Sequence, residues 1–338
     1  MDNLLLQRQK QFRSTGLVLF VAAAGLLISR ISAYFITGIG DELIEDLIFS
    51  SVMQIGFLLI APFLIYKLTL KKTFKGVLEF SNFRKVDWKI LLLCIPFGVL
   101  ALMISSGISL VWYNILVAFG YSGGSGTPLP ETFSVWRLLL ELFITALLPA
   151  VCEEFTNRGG FLTTLRGSFN ETQTIILGGI AFGLFHQNIT QVFYTFCFGM
   201  LMTALVLKTK SVFPAMIIHF VNNALSVYSD YATTYSLPLG GIFNWIDFML
   251  VENFQILVLL FLGVVALAVA LYLLIIRLAK KKNANDGVEI SAVDGEEIVP
   301  PLCDKTLYKP TTLDSAFYIG AIVMTVLTTI ATFTWGLL

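Results

Sequence analysis

Again and again the chain presents uninterrupted apolar runs of about the length that crosses a bilayer, and no other feature limits its fold as strongly. A hydrocarbon core of about 30 Å requires roughly 20 apolar residues per helix. Runs of this kind fall near 16–38, 46–67, 89–117, 136–158, 172–188, 190–207, 212–229, 253–278 and 315–336. Lipid offers no hydrogen bonds to an exposed backbone, so such segments must be helices. The expected fold is therefore an all-α, polytopic transmembrane helix bundle of about eight or nine spans. The fifth and sixth runs are short and parted only by a polar turn, which leaves a re-entrant segment open for one of them. Composition agrees, with 57% hydrophobic and 13% charged residues and a mean hydropathy of +0.82, well outside the range of ordinary soluble domains.

With 22 basic and 22 acidic residues the formal net charge is zero, which points to no nucleic-acid partner. Where the basic residues sit is more informative. Arg8, Lys10 and Arg13 precede the first run, Lys67 to Lys89 flank the loop after the second, Arg166 follows the fourth, Lys208 and Lys210 follow the sixth, and Arg277, Lys280, Lys281, Lys282, Lys305 and Lys309 follow the eighth. With alternating spans all of these fall on one side, whereas 118–135 and 230–252 hold no Lys or Arg. The positive-inside rule then predicts a multi-pass cell-membrane protein with a cytoplasmic N-terminus and, with nine spans, an external C-terminus. The basic start MDNLLLQRQKQFRST leads into a run too long for a signal-peptide core, so it reads as the approach to a first span. Cys94, Cys152, Cys197 and Cys303 show no paired spacing, and three of them lie in apolar stretches, as small hydrophobes do.

The chain divides into N-terminal helices over 1–134, a central core over 135–230, and C-terminal helices over 231–338 with a solvated loop near 279–314. The outer stretch GYSGGSGTPLPE reads as a flexible connector.

Ionisable residues at membrane depth cost on the order of 2.5–3.5 kcal/mol each on insertion scales, and they usually face the bundle interior and serve function. Three places concentrate polar groups: Glu153-Glu154-Phe155-Thr156-Asn157-Arg158, Phe182-Gly183-Leu184-Phe185-His186, and His219-Phe220-Val221-Asn222-Asn223. Glu154 and Arg158 are four apart with the acid first, the favoured order for an intrahelical pair. Glu153 lies about 100° round the helix and is left free for chemistry. His219 and Asn223 share a face. The polar break 166–171 contains the midpoint of 153 and 186, so an antiparallel hairpin closed there sets Glu153 and His186 at matching depth, about 24 Å of helix from the turn.

Both of the chain's histidines fall in these clusters. A lone membrane histidine is more often a packing hydrogen-bond donor, but two of two in spaced motifs favour chemistry. Glu153 beside His186 is equipped to take a proton from a water molecule, with His219 and Asn223 donating to a developing oxyanion. A zinc ion held by Glu153, His186 and His219 is the alternative, since two histidines and a carboxylate match known catalytic zinc centres, although HExxH is absent. Other features have plainer readings. Pro149 kinks its span, Gly178, Gly179 and Gly183 form a close-packing surface, and Arg30 snorkels or pairs with a carboxylate.

At these residues the sequence resembles the CPBP intramembrane proteases, which include the type II CAAX prenyl endopeptidases and the bacterial Abi proteins. Their pattern, Glu-Glu-x-x-x-Arg, Phe-x-x-x-His and His-x-x-x-Asn/Asp, stands here as Glu153, Glu154 and Arg158; Phe182 and His186; His219 and Asn223. Arg158-Gly159, Phe182-Gly183 and Pro214-Ala215 are also similar, and the likeness covers roughly 135–230. It implies a multi-pass endopeptidase whose site opens to the cytoplasm and acts on a membrane-associated or lipidated protein or peptide. Glu153 and His186 would activate water, His219 and Asn223 would form the oxyanion hole, and Glu154 with Arg158 would hold the geometry. The resemblance does not fix prenylation of the substrate or a bound metal. A non-catalytic immunity or regulatory scaffold of the Abi type is the alternative of a different class. A proton-coupled transporter is a third reading, without the internal repeat that would encourage it.

Overall fold

The structure, a computed structural model, describes residues 3–36, 42–123, 129–285 and 308–337. Among them there is no strand. Fourteen α-helical segments follow one another: α1 (Asn3–Ile36), α2 (Glu42–Ser51), α3 (Ala61–Thr69), α4 (Phe74–Phe80), α5 (Trp88–Ala118), α6 (Val135–Glu141), α7 (Leu148–Glu154), α8 (Leu162–Arg166), α9 (Glu171–Phe185), α10 (Ile189–Thr209), α11 (Phe213–Thr234), α12 (Gly240–Glu252), α13 (Phe254–Asn285) and α14 (Ala316–Trp335). The chain is an all-α, polytopic helical bundle. Wider π-helical turns at Val52–Ile60, Leu142–Leu147 and Phe155–Phe161 join α2 to α3, α6 to α7 and α7 to α8.

Seven helical stretches among the described residues are long and apolar enough to cross a membrane: Asn3–Ser32, Ile44–Thr69, Trp88–Ala118, Val135–Arg166, Ile189–Thr209, Gln255–Lys282 and Ala316–Trp335. The fifth and seventh expected spans correspond to α9 and α11. α9 has 15 residues and so reaches only about 22 Å, short of the hydrocarbon thickness. α11 has 22 residues, but His219, Asn222 and Asn223 take it below the apolarity of a lipid-facing span. The polar residues of α11 face protein, with His219 and Asn222 buried, whereas α9 packs one face on α10 and leaves Ile176 and Ile180 exposed.

The basic N-terminus is helical from Asn3 and packed, with Arg8, Gln11 and Thr15 buried. It docks on the segment preceding α14. Asp314, itself buried, accepts from Arg13 Nε at 2.6 Å and from Gln9 Nε2 at 3.1 Å, and also from Tyr308 and Thr311. The expected loop of 279–314 is therefore shorter at both ends: α13 continues to Asn285, and 308–314 packs on α1. Cys303 and Lys305 lie outside the described residues, as do 124–128 of the glycine-rich connector.

Pro149 sits in the first turn of α7 with helical neighbours on both sides, because the wide turn at Leu142–Leu147 already absorbs its missing N–H. The sharp break comes ten residues later, at Gly159, whose backbone leaves the helical region at φ −79°, ψ −111°. Gly159 and Gly160 press directly onto Ser81 and the Tyr66 ring, leaving no room for a side chain at either position. Asn82 completes the corner. In left-handed conformation with φ +60°, it donates from Nδ2 to the carbonyls of Arg158 at 2.8 Å and Gly159 at 3.3 Å and to Thr163 Oγ1 at 3.0 Å, while its own carbonyl accepts from Val212 N at 3.0 Å. One loop residue thereby satisfies the carbonyls that the kink frees and ties them to the start of α11.

The hairpin between α8 and α9 turns at 167–170. Asn170 caps α9 through a reciprocal arrangement with Gln173, the capping-box geometry that starts a helix abruptly. Gly178, Gly179 and Gly183 lie against Thr203, Met200, Phe196 and Val192 of α10, so α9 and α10 approach backbone to backbone.

Candidate functional site

One buried carboxylate at the end of α7 joins the following turn to α11. Glu154, with no exposed surface, accepts at Oε1 from Arg158 NH1 at 3.0 Å, one turn along its own helix, and from Nδ1 of His219 on α11 at 2.9 Å. Arg158 is 1% exposed. Its guanidinium stands 4.1 Å from the centre of the Phe182 ring of α9, and NH2 reaches the carbonyl of Gly199 on α10 at 3.5 Å. Gly199 faces Phe182 without a side chain, and this lets α10 come close. Two charges are thus held away from water by each other, by an imidazole and by an aromatic face, while Glu154 Oε2 and Arg158 Nε are buried without a hydrogen-bond partner in the protein.

His219 is clamped between the rings of Phe182 and Phe198, each 5.8 Å away and edge-on. Because Nδ1 faces a carboxylate it carries a proton, so Nε2 is the nitrogen offered to a ligand. His186 ends α9, and its Nδ1 lies 2.8 Å from the carbonyl of Phe182. A carbonyl can only accept, so this Nδ1 is also protonated and Nε2 presents its lone pair. Arg30, expected to snorkel or to pair with a carboxylate, donates to the carbonyl of His186 at 3.0 Å, where a cation suits the negative end of the α9 dipole.

Glu153 points away from the Glu154 triad. Its Oε1 accepts from Gln54 Nε2, in the π-helical turn of the second span, at 2.9 Å. Around it Asn157 Nδ2 donates to the Glu153 carbonyl at 2.9 Å and Thr156 Oγ1 to the Leu58 carbonyl at 2.6 Å, fastening the turn that follows α7 to that of the second span. Glu153 and His186 form no direct hydrogen bond; the carboxylate is within coulombic reach of the imidazole, as are His219 and Arg158.

Asn223 shares α11 with His219 but faces another neighbour. One amide hydrogen goes to the Thr145 carbonyl at 3.0 Å, and Oδ1 accepts from Asn222 at 3.0 Å. Asn222, buried beside it, accepts in turn from Ser105 Oγ of α5 at 3.2 Å. The sequence motifs did not single out Gln54, Asn82 or Ser105, nor did they give Asn222 a role of its own. Gln54 had a signal, as a polar side chain inside an apolar run. Asn82 had none, since an asparagine in a short loop is unremarkable until its partners are known.

The candidate metal donors Glu153, His186 and His219 do not form a ligand set. Among the described residues no group of three or more His, Cys, Asp or Glu side chains is arranged to hold an ion.

Residues 135–225 match the family model described as type II CAAX prenyl endopeptidase Rce1-like. The matched segment runs from the start of α6 into α11 and contains Glu153, Glu154, Arg158, His186, His219 and Asn223. No curated protein and no solved structure matches the chain.

Proposed function

From the match of residues 135–225 to the type II CAAX prenyl endopeptidase Rce1-like family model, we propose that this chain hydrolyses peptide bonds of a membrane-associated or lipidated protein by a water activated by Glu153 and His186. The observation that carries the reading is the buried Glu154 carboxylate joining Arg158 to His219 across two helices. A protein gains little stability from such a pair compared with apolar packing. What it gains is a fixed imidazole whose Nε2 is aimed at a reacting group.

Glu153, outside that triad, takes a proton from water as the water oxygen bonds to the scissile carbonyl carbon. His186 Nε2 shares in orienting the water. Charge developing on the carbonyl oxygen is met by the second amide hydrogen of Asn223 and by an Nε2–H of His219, which acts as the imidazolium held against the Glu154 carboxylate. The proton held by Glu153 then passes to the leaving nitrogen as the carbon–nitrogen bond breaks. Each role needs a polar group at a defined position in a water-poor cavity, where its electrostatic effect is largest. The protein lies in the cell membrane with its basic loops and N-terminus toward the cytoplasm, on the strength of the one-sided Lys and Arg distribution.

The test compares membrane proteins from cells carrying the wild type or Glu153→Ala, scoring new protein termini by mass spectrometry. New termini with the wild type and none with the variant are expected. Equal termini from both would refute the mechanism, and a self-protection effect that survives loss of Glu153, His186 and His219 would favour the non-catalytic scaffold.

A further inference from the structure

Gln54 gives Nε2 to Glu153 at 2.9 Å. The reverse orientation of the amide would set its oxygen against a carboxylate oxygen, so the hydrogen bond fixes which way the amide points. Oε1 is then buried and has no hydrogen-bond partner in the protein. Buried acceptors are nearly always satisfied, and this one, together with Glu154 Oε2 and Asn157 Oδ1 in the same region, is without a protein partner. Gln54 also sits in the π-helical turn Val52–Ile60, a wide backbone geometry that recurs at functional sites. The same turn is fastened to the carboxylate's helix two residues from Glu154, through Thr156 Oγ1 and the Leu58 carbonyl. The orphaned oxygen is therefore held in register with Glu153 by contacts other than its own.

We propose that Gln54 is a catalytic residue whose Oε1 accepts a hydrogen bond from the attacking water while its amide fixes Glu153. This rests on the reading of Glu153 as the base. A water molecule has two hydrogens, and a carboxylate that removes one leaves the other to be directed. With one O–H held by Glu153 and the other shared between Gln54 Oε1 and His186 Nε2, the lone pairs of the water are turned outward, one of them toward the scissile carbonyl. In the step itself, the proton on the Glu153 side moves to the carboxylate and the oxygen lone pair becomes the new carbon–oxygen bond. The carbonyl π pair moves onto its oxygen, and the second O–H stays hydrogen-bonded to Gln54. On collapse, the carbon–nitrogen bond breaks and the Glu153 proton goes to the leaving nitrogen. Gln54 neither gains nor loses a proton, so an amide, which does not titrate, suits the position.

The test uses the full chain purified into liposomes and mixed with membrane vesicles of the expressing cells as substrate. New protein termini are quantified against vesicle concentration to separate kcat from KM. Gln54→Met keeps the side-chain length and removes both polar atoms. Misorienting the nucleophile by this change is expected to lower kcat about 100-fold, with KM unchanged. The melting temperature should change little, because the orphaned acceptor leaves with the amide while part-buried Glu153 loses one hydrogen bond. Gln54→Leu is a second apolar replacement and should behave alike. A wild-type rate in Gln54→Met while Glu153→Gln is inactive would overturn the role of Gln54 alone. Failure of both apolar variants to fold would make Gln54 a packing residue and overturn it equally. If Glu153→Gln stays active, or the wild type makes no new termini, the proteolytic reading itself fails.

Discussion

Replacing Glu154 by methionine removes the acceptor for two charge-assisted hydrogen bonds while roughly keeping side-chain volume. Arg158, 1% exposed, is then left charged in the bundle with the Phe182 ring at 4.1 Å and a long contact to Gly199 at 3.5 Å. Breaking a buried pair from one side costs about 3–5 kcal/mol, and His219 loses its Nδ1 anchor as well. Arg158→Met should cost less, about 1.5–3 kcal/mol, because Glu154 keeps the His219 hydrogen bond. The double variant Glu154→Met/Arg158→Met carries no orphaned charge and should therefore be more stable than Glu154→Met alone. Their coupling should be about 1–3 kcal/mol, the range found for contacting groups. Reversible unfolding in mixed micelles, followed by tryptophan fluorescence over a denaturing-detergent titration, measures all three variants. If the double variant equals the sum of the singles within about 0.5 kcal/mol, Glu154 and Arg158 are energetically independent and the triad argument fails.

Asn82→Gly should lose only the side-chain hydrogen bonds at the Gly159 kink, whereas Asn82→Ala adds the strain of a left-handed β-carbon, costing about 1–2 kcal/mol more. The same unfolding assay checks this, and an alanine variant no worse than the glycine one would refute it. Asp314 governs acid stability at the junction of α1 and α14. Burial raises its carboxyl, but hydrogen bonds from Thr311, Tyr308 and Arg13 outweigh that and hold it well below the usual range. A depressed folded-state value contributes stability that is fully present above the unfolded value of about 3.9 and is lost as pH falls toward the folded one. Asp314→Asn should therefore lower the melting temperature at neutral pH and flatten its fall below about pH 4, read by thermal scans across pH. Tyr308, the phenol facing that carboxylate, is pushed up to about 12 by burial and by Asp314, so the contact should persist through mildly alkaline pH.

Much of the site was legible because helix periodicity and insertion cost are local properties of sequence. The i,i+4 spacing of Glu154 and Arg158 is a pair at 3.0 Å, and the turn between 166 and 171 is where the α8–α9 hairpin closes. Spacing along α11 likewise put His219 and Asn223 on one helix, but not which neighbour each would meet. His219 turns to Glu154, sixty-five positions away in sequence, and Asn223 turns to Thr145. The kink illustrates the same limit: Pro149 looked like the breaker, yet the break lies at Gly159, because only there do Ser81, Tyr66 and Asn82 demand a close approach.

By itself, then, the sequence determined that the chain lives in a membrane as a helical bundle and that a few costly polar side chains on three helices must find partners inside it. Water excludes long apolar runs and lipid excludes unsatisfied charges, and neither constraint needs a partner to be named. The tertiary structure alone decided how those side chains pair. It gave His219 to Glu154, left Glu153 outside that pair with Gln54, and closed the Gly159 kink with Asn82. Such pairings depend on the depth and rotation of helices from distant parts of the chain, which packing sets and periodicity does not record.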